Sequence, residues 1–95
     1  DIELSSLEAV TGQYYLRLSV TDKPGVLAEI STVMADHEVS IASMIQPEES
    51  SNQWATLIIT THQSNEKRMQ DTIRDLKKLK NVHRAPFLLR IVNFD

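Results

Sequence analysis

Asp22-Lys23-Pro24-Gly25-Val26-Leu27 is the stretch of this 95-residue chain whose residue types and spacing point most directly to chemistry. It follows an alternating run, Tyr14, Leu16, Leu18 and Val20, and precedes apolar residues at helical spacing, Val26, Leu27, Ile30, Val33 and Met34. It therefore joins the end of a strand to the start of a helix. The first amides of a helix have no intrahelical acceptors and carry the positive end of its dipole, so a carboxylate can settle on the amides of Val26 and Leu27. Gly25 lets a ligand approach the backbone closely, and Asp22 is placed to receive an ammonium group. Together these features describe a receptor for a free α-amino acid. The same residues also suit an ordinary strand-to-helix turn, which needs proline and glycine for its geometry alone.

Other chemistries find little support. His37, His62 and His83 share no metal-ligand spacing, so each reads as a partly exposed turn residue. The glycines are Gly12 and Gly25, and neither has a serine two residues away, so no nucleophile elbow exists. A dinucleotide fingerprint or a P-loop would need several more glycines, and this chain is not expected to bind a dinucleotide by itself. No catalytic residue and no metal ligand is expected. Cys 0 removes disulfides and thiolate chemistry.

Ten basic residues against thirteen acidic ones give a net charge of −3, the wrong sign for binding nucleic acid through the overall field. Lys67, Arg68, Arg74, Lys77, Lys78, Lys80 and Arg84 do cluster, and a nucleic-acid face is conceivable there. Asp71/Arg74 and Asp75/Lys78, at i, i+3, favour a solvated helix side instead. The third strand also lacks the interleaved aromatics of an RNA reader of this topology. Neither nucleic acid nor membrane is expected as a partner, since no apolar run is long enough to span a bilayer and no signal peptide opens the chain. A cytoplasmic setting is expected, and Asp at position 1 suggests an excised fragment.

The elements that must hold the turn follow from hydropathy. Residues 1–12 read as a linker or short helix, and 13–20 as a strand with one buried face. Residues 25–38 read as an amphipathic helix whose end carries Glu38 where glycine is usual. A second strand runs from Val39 to Gln46 and stops at Pro47, residues 48–52 make a polar connection, and Gln53–Thr61 is a third strand. Ser64 or Asn65 caps a second helix with Met69, Ile73, Leu76 and Leu79 on one side. Val82 to Phe94, interrupted by Pro86, supplies a fourth strand through 87–92. The order βαββαβ predicts an α+β, ferredoxin-like sandwich of four antiparallel strands with both helices on one face. The first and third strands are central, and the second and fourth are edges open to pairing.

Asp22-Lys23-Pro24-Gly25-Val26-Leu27-Ala28-Glu29-Ile30, followed by Val39-Ser40-Ile41, resembles the D-x-P-G-V-L-A-x-I … [IV]-[SN]-I signature of ACT domains, regulatory modules that bind amino acids. The resemblance covers residues 13–92 and places an ACT domain over 13–95. Tyr14-Tyr15-Leu16-Arg17-Leu18, the run Val39 to Gln46, and Thr60-Thr61-His62 resemble more narrowly the C-terminal ACT domains of bacterial homoserine dehydrogenases. That resemblance implies homodimers formed by side-by-side pairing, with Val39, Ser40, Ile41, Ala42 and Met44 at the seam. It implies effector contacts from Asp22, Lys23, Pro24, Gly25, Val26, Leu27, Ser40 and Ile41, with threonine as the effector. Ser40 replaces the asparagine of some relatives, exchanging an amide for a hydroxyl. The parent would be an NAD(P)-dependent oxidoreductase of threonine and methionine biosynthesis, its cofactor and catalytic residues lying outside this fragment. The alternative is an ACT domain that only holds a dimer together.

Overall fold

The alternation in the first strand is the origin of the core. In the computed structural model, which describes residues 4–47 and 53–91, Tyr14, Leu16, Leu18 and Val20 are buried, while Tyr15, Arg17 and Ser19 face the other way. The elements in chain order are α1 (Leu4–Ala9), β1 (Thr11–Thr21), α2 (Val26–Asp36), β2 (Ile41–Ile45), β3 (Trp54–Thr61), β4 (Ser64–Asn65), α3 (Glu66–Leu76) and β5 (Val82–Ile91). The expected connection over 48–52 and residues 92–94 of the expected last strand lie outside the described residues.

Val26, Ile30 and Met34 of α2 and Met69, Ile73 and Leu76 of α3 close over the buried row of β1 and over Ala55, Leu57 and Ile59 of β3. α2 and α3 thus cover one sheet face, and among the described residues no helix packs on the other. All strand pairs are antiparallel, and the main order is β2-β3-β1-β5, with β1 and β3 central. This is the predicted sandwich.

Two irregularities were not predicted. The sheet has five strands where four were expected, because β4 pairs with Thr11 and Gly12. Tyr15 lies opposite Thr60 and Gly12 opposite Ser64, so three steps along β1 are matched by four on the other side. β4 is therefore β3 resumed beyond a bulge at His62 and Gln63. Thr61 bridges the break: its Oγ1 accepts the Tyr14 amide at 3.1 Å and donates to the His62 carbonyl at 2.8 Å. The second irregularity lies in β5, which runs through Pro86 instead of being interrupted there. Arg17 faces Phe87 and Ser19 faces His83, so two steps on β1 meet four on β5. An edge strand tolerates the missing proline amide, and the slack is taken up with Arg84 at φ 70°.

The exit from α2 places a residue other than glycine in the left-handed region. Glu38 has φ 58°, its amide donates to the Ala35 carbonyl at 2.9 Å, and the Val39 amide donates to the Met34 carbonyl at 2.9 Å. This is a Schellman motif closed by the apolar contact of buried Val39 with the core. The Glu38–Arg68 pair at 3.1 Å is exposed and contributes little. Glu38→Gly is therefore expected to stabilise the domain by about 0.5–1 kcal/mol, and an unchanged or lower urea midpoint would contradict this.

Asn65 is the N-cap of α3, accepting the Arg68 amide at 2.8 Å. On the solvated side of that helix Arg74 meets Asp71 at 2.9 Å and Lys78 meets Asp75 at 3.5 Å, as the spacing predicts. His37, at the end of α2, adds a 2.7 Å contact to Asp75 that ties the two helices together. A hydrogen bond from Lys67 holds the Asp71 carboxyl below its ordinary range, and one from His37 does the same for Asp75.

Candidate functional site

At the end of β1 the chain makes a tight bend whose backbone is fully specified. The Thr21 amide donates to the Asn81 carbonyl at 2.9 Å and the Asp22 amide to the Gln53 carbonyl at 2.8 Å, which ties the bend to two neighbouring segments. Lys23-Pro24-Gly25-Val26 then forms a type II turn, with the Val26 amide 3.4 Å from the Lys23 carbonyl and Gly25 at φ 89°, ψ −16°. Proline presets the first central position and glycine supplies the positive φ of the second. A Cβ built on Gly25 would meet nothing within 4 Å, so the space over the turn is open.

The Glu29 amide makes the first helical bond, to Gly25 at 3.1 Å. Among the described residues, no acceptor pairs with the amides of Leu27 and Ala28. The Val26 amide is thus engaged by the turn, while the amides of Leu27 and Ala28 are the open donors at the helix start. Leu27, counted on the apolar face of the helix, is 46% exposed. Its place in the first turn of α2 carries it past the edge of the core.

A cleft of about 350 Å³ opens beside this turn, within the size range of small-molecule sites. Asp22, Lys23, Pro24, Val26 and Leu27 line it, and Gly25 sits at the helix start between them. Thr21 and Gln46 also line it and were not among the expected site residues. Gln46 was read only as the end of a strand, and nothing local in the sequence shows that β2 ends beside the turn.

Ser40 and Ile41 do not join the cleft within this chain. Ser40 precedes β2 and its carbonyl accepts the His62 amide at 2.9 Å, while Ile41 lies opposite Thr61. Gln46 is six residues further along the strand, a separation of about 20 Å. Of the expected seam residues, Ser40 and Ala42 are exposed, Ile41 and Met44 are half-buried against the core, and Val39 is buried within its own chain. Exposed Ile45 follows them at the outer end of β2.

The turn, the element order and the sheet together match one family: the ACT domain model fits residues 14–81. The chain is an ACT domain. It is 41% identical over 81 residues to the homoserine dehydrogenase of Methylobacillus glycogenes, covering 83% of this chain and 19% of that protein. In structure it is similar to a homoserine dehydrogenase from Thiobacillus denitrificans, with a TM-score of 0.78 and 34% identity over 88% of this chain and 18% of that one. The ACT domain of the GTP pyrophosphokinase of Chlorobium tepidum shares the fold, with a TM-score of 0.66 at 16% identity over 84% of this chain and 100% of that one. This ACT domain thus spans about one-fifth of the length of the curated relatives it matches.

Proposed function

We propose that this ACT domain is the effector-binding module of a homoserine dehydrogenase and that it takes a free α-amino acid, threonine, in the cleft beside the first turn. The observation that carries the proposal is the convergence, in one small cleft, of two open amide donors at a helix start with the carboxylate of Asp22. The amides of Leu27 and Ala28 would take the effector carboxylate, Asp22 its ammonium group, and Thr21 or Gln46 the side-chain hydroxyl. The apolar wall of Val20, Val26 and Ala55 excludes water and leaves room for a methyl group.

The separation of Ser40 from the cleft supports a dimeric site. β2 is an edge strand, and its outer backbone has no partner strand among the described residues. If two copies pair antiparallel along β2 about a two-fold axis, the Ser40 end of one strand runs beside the Gln46 end of the other. A second copy would then complete each cleft with a hydroxyl, and an effector held by both copies would favour the paired state. That is a route from binding to regulation: the ligand stabilises whichever arrangement it bridges, by mass action.

The oxidoreductase chemistry of such an enzyme, with NAD(P) as cofactor, would reside in the remaining four-fifths of a full-length relative, in the cytoplasm. The two glycines here, one in β1 and one in the turn, offer no phosphate cradle for a dinucleotide. Among the described residues no helix is long and apolar enough to cross a membrane.

A thermal-shift screen against the twenty amino acids, at two protein concentrations, tests the reading. Stabilisation by threonine together with a concentration-dependent melt is the expected result. A concentration-dependent melt without any ligand response would leave a pairing domain and refute the effector site. Asp22→Ala should weaken threonine binding about tenfold, because the ammonium group would lose its carboxylate. Unchanged affinity by calorimetry would remove Asp22 from the site.

A further inference from the structure

The sheet face opposite the helices holds a second recess, remote in character from the cleft at the turn. The slip in β5 between His83 and Phe87 opens a hollow of about 590 Å³ over β1 and β3. Its polar lining includes Arg17, Ser19, Thr56, His83 and Arg84, and its apolar lining includes Ile58 and Phe87. None of the described lining residues is acidic. Arg68 and Arg74 on α3 have carboxylate partners, whereas among the described residues Arg17 and Arg84 have none.

The two arginines are not simply loose surface charges. The Arg17 guanidinium lies 5.2 Å over the centre of the Phe87 ring, which limits its rotation, and Tyr15 meets that ring edge-on with ring centres 6.3 Å apart. Arg84 is held at φ 70°, a conformation that costs an L-residue energy. His83 is stacked on Trp54 with ring centres 3.9 Å apart. A strained backbone, a braced guanidinium and a hydroxyl pair around an apolar floor form a concave surface with unmatched positive charge.

We infer that this recess binds a small organic oxyanion, a carboxylate or phosphate ester carried on an apolar body, with Arg17 and Arg84 taking the anion and Ile58 and Phe87 taking the body. Guanidinium groups suit this role because their fork matches the geometry of both anions. The site shares no lining residue with the amino-acid cleft, so it stands or falls independently of the proposed effector.

The test is a titration of the 95-residue domain with benzoate, phenyl phosphate and inorganic phosphate, followed by Trp54 fluorescence and by amide shifts of Arg17, Ser19 and Arg84. Benzoate and phenyl phosphate are expected to bind, and inorganic phosphate at least about tenfold more weakly because it lacks the apolar body. Arg17→Gln and Arg84→Gly should each weaken phenyl phosphate about tenfold or more, and Asp22→Ala should leave it unchanged. Arg84→Gly should at the same time raise the melting temperature, since glycine relieves the positive φ, so lost binding there is not lost folding. No binding of either organic anion at tens of millimolar would overturn the inference. So would affinity that survives both substitutions, or inorganic phosphate binding as tightly as the ester. A response to polyglutamate but to none of the three small anions would also overturn it, and would make the recess part of an acidic protein interface.

Discussion

Gly25→Val is expected to cost the domain about 2–3 kcal/mol of stability and to abolish measurable amino-acid binding. The cause is local. Gly25 occupies the second central position of a type II turn at φ 89°, where any L side chain is strained and a β-branched one more so. Crowding does not contribute, because a Cβ at this position meets no atom within 4 Å. Gly25→Ala should therefore already show most of the penalty, about 1–2 kcal/mol, whereas D-alanine introduced by ligation should be tolerated. Binding would fail for a separate reason: the open space over the turn, through which the proposed effector's carboxylate would reach the amides of Leu27 and Ala28, would be filled. Urea unfolding and calorimetry with threonine read the two effects separately, and an alanine variant as stable as the parent would refute the backbone argument.

Thr61→Val should cost about 1–3 kcal/mol although it conserves shape. Thr61 is 1% exposed, and its hydroxyl both accepts the Tyr14 amide and donates to the His62 carbonyl. Valine removes both contacts and leaves a buried amide without an acceptor in the middle of the central strand. The β3 bulge loses its fastening as well, so amide exchange at Tyr14 should accelerate more than the global loss of stability explains. Thr61→Ser keeps the hydroxyl and should recover most of the difference. A valine variant with the parent's denaturation midpoint would show that the hydroxyl is dispensable.

Much of this architecture is written in short-range patterns. The alternation of Tyr14, Leu16, Leu18 and Val20 sets the buried face of β1, and Pro24-Gly25 sets the turn, because both depend on residues adjacent in sequence. The end of α2 is legible only in part: a helix that ends without glycine either places another residue at the αL position, as Glu38 does, or takes a different exit. What escapes the sequence is relational. The bulge beyond Thr61 and the slip around Pro86 arise from the register between strands, and no local propensity encodes a register difference of one or two residues. The site shows the same division. Asp22, Lys23 and Leu27 belong together by proximity in the chain, while Gln46 joins them only because β2 ends there. Ser40, close to the turn in the family signature, lies at the far end of that strand.

The pairing of Gln13 with Ile91 has a mechanical consequence. β1 and β5 are neighbouring antiparallel strands, so the two described extremities of the sheet sit side by side, at the end of β1 away from the turn. Force applied between them would peel β5 from β1 one rung at a time instead of loading the whole ladder in shear. The first rungs to yield would be Gln13–Ile91 and Tyr15–Leu89, and the loosened β5 slip beyond Phe87 would offer little further resistance. The Asp22–Gly25 bend is tied at the opposite end of β1, to Gln53 and Asn81, and would feel the tension last. A tether on this domain can therefore be pulled while the cleft at the turn stays undeformed.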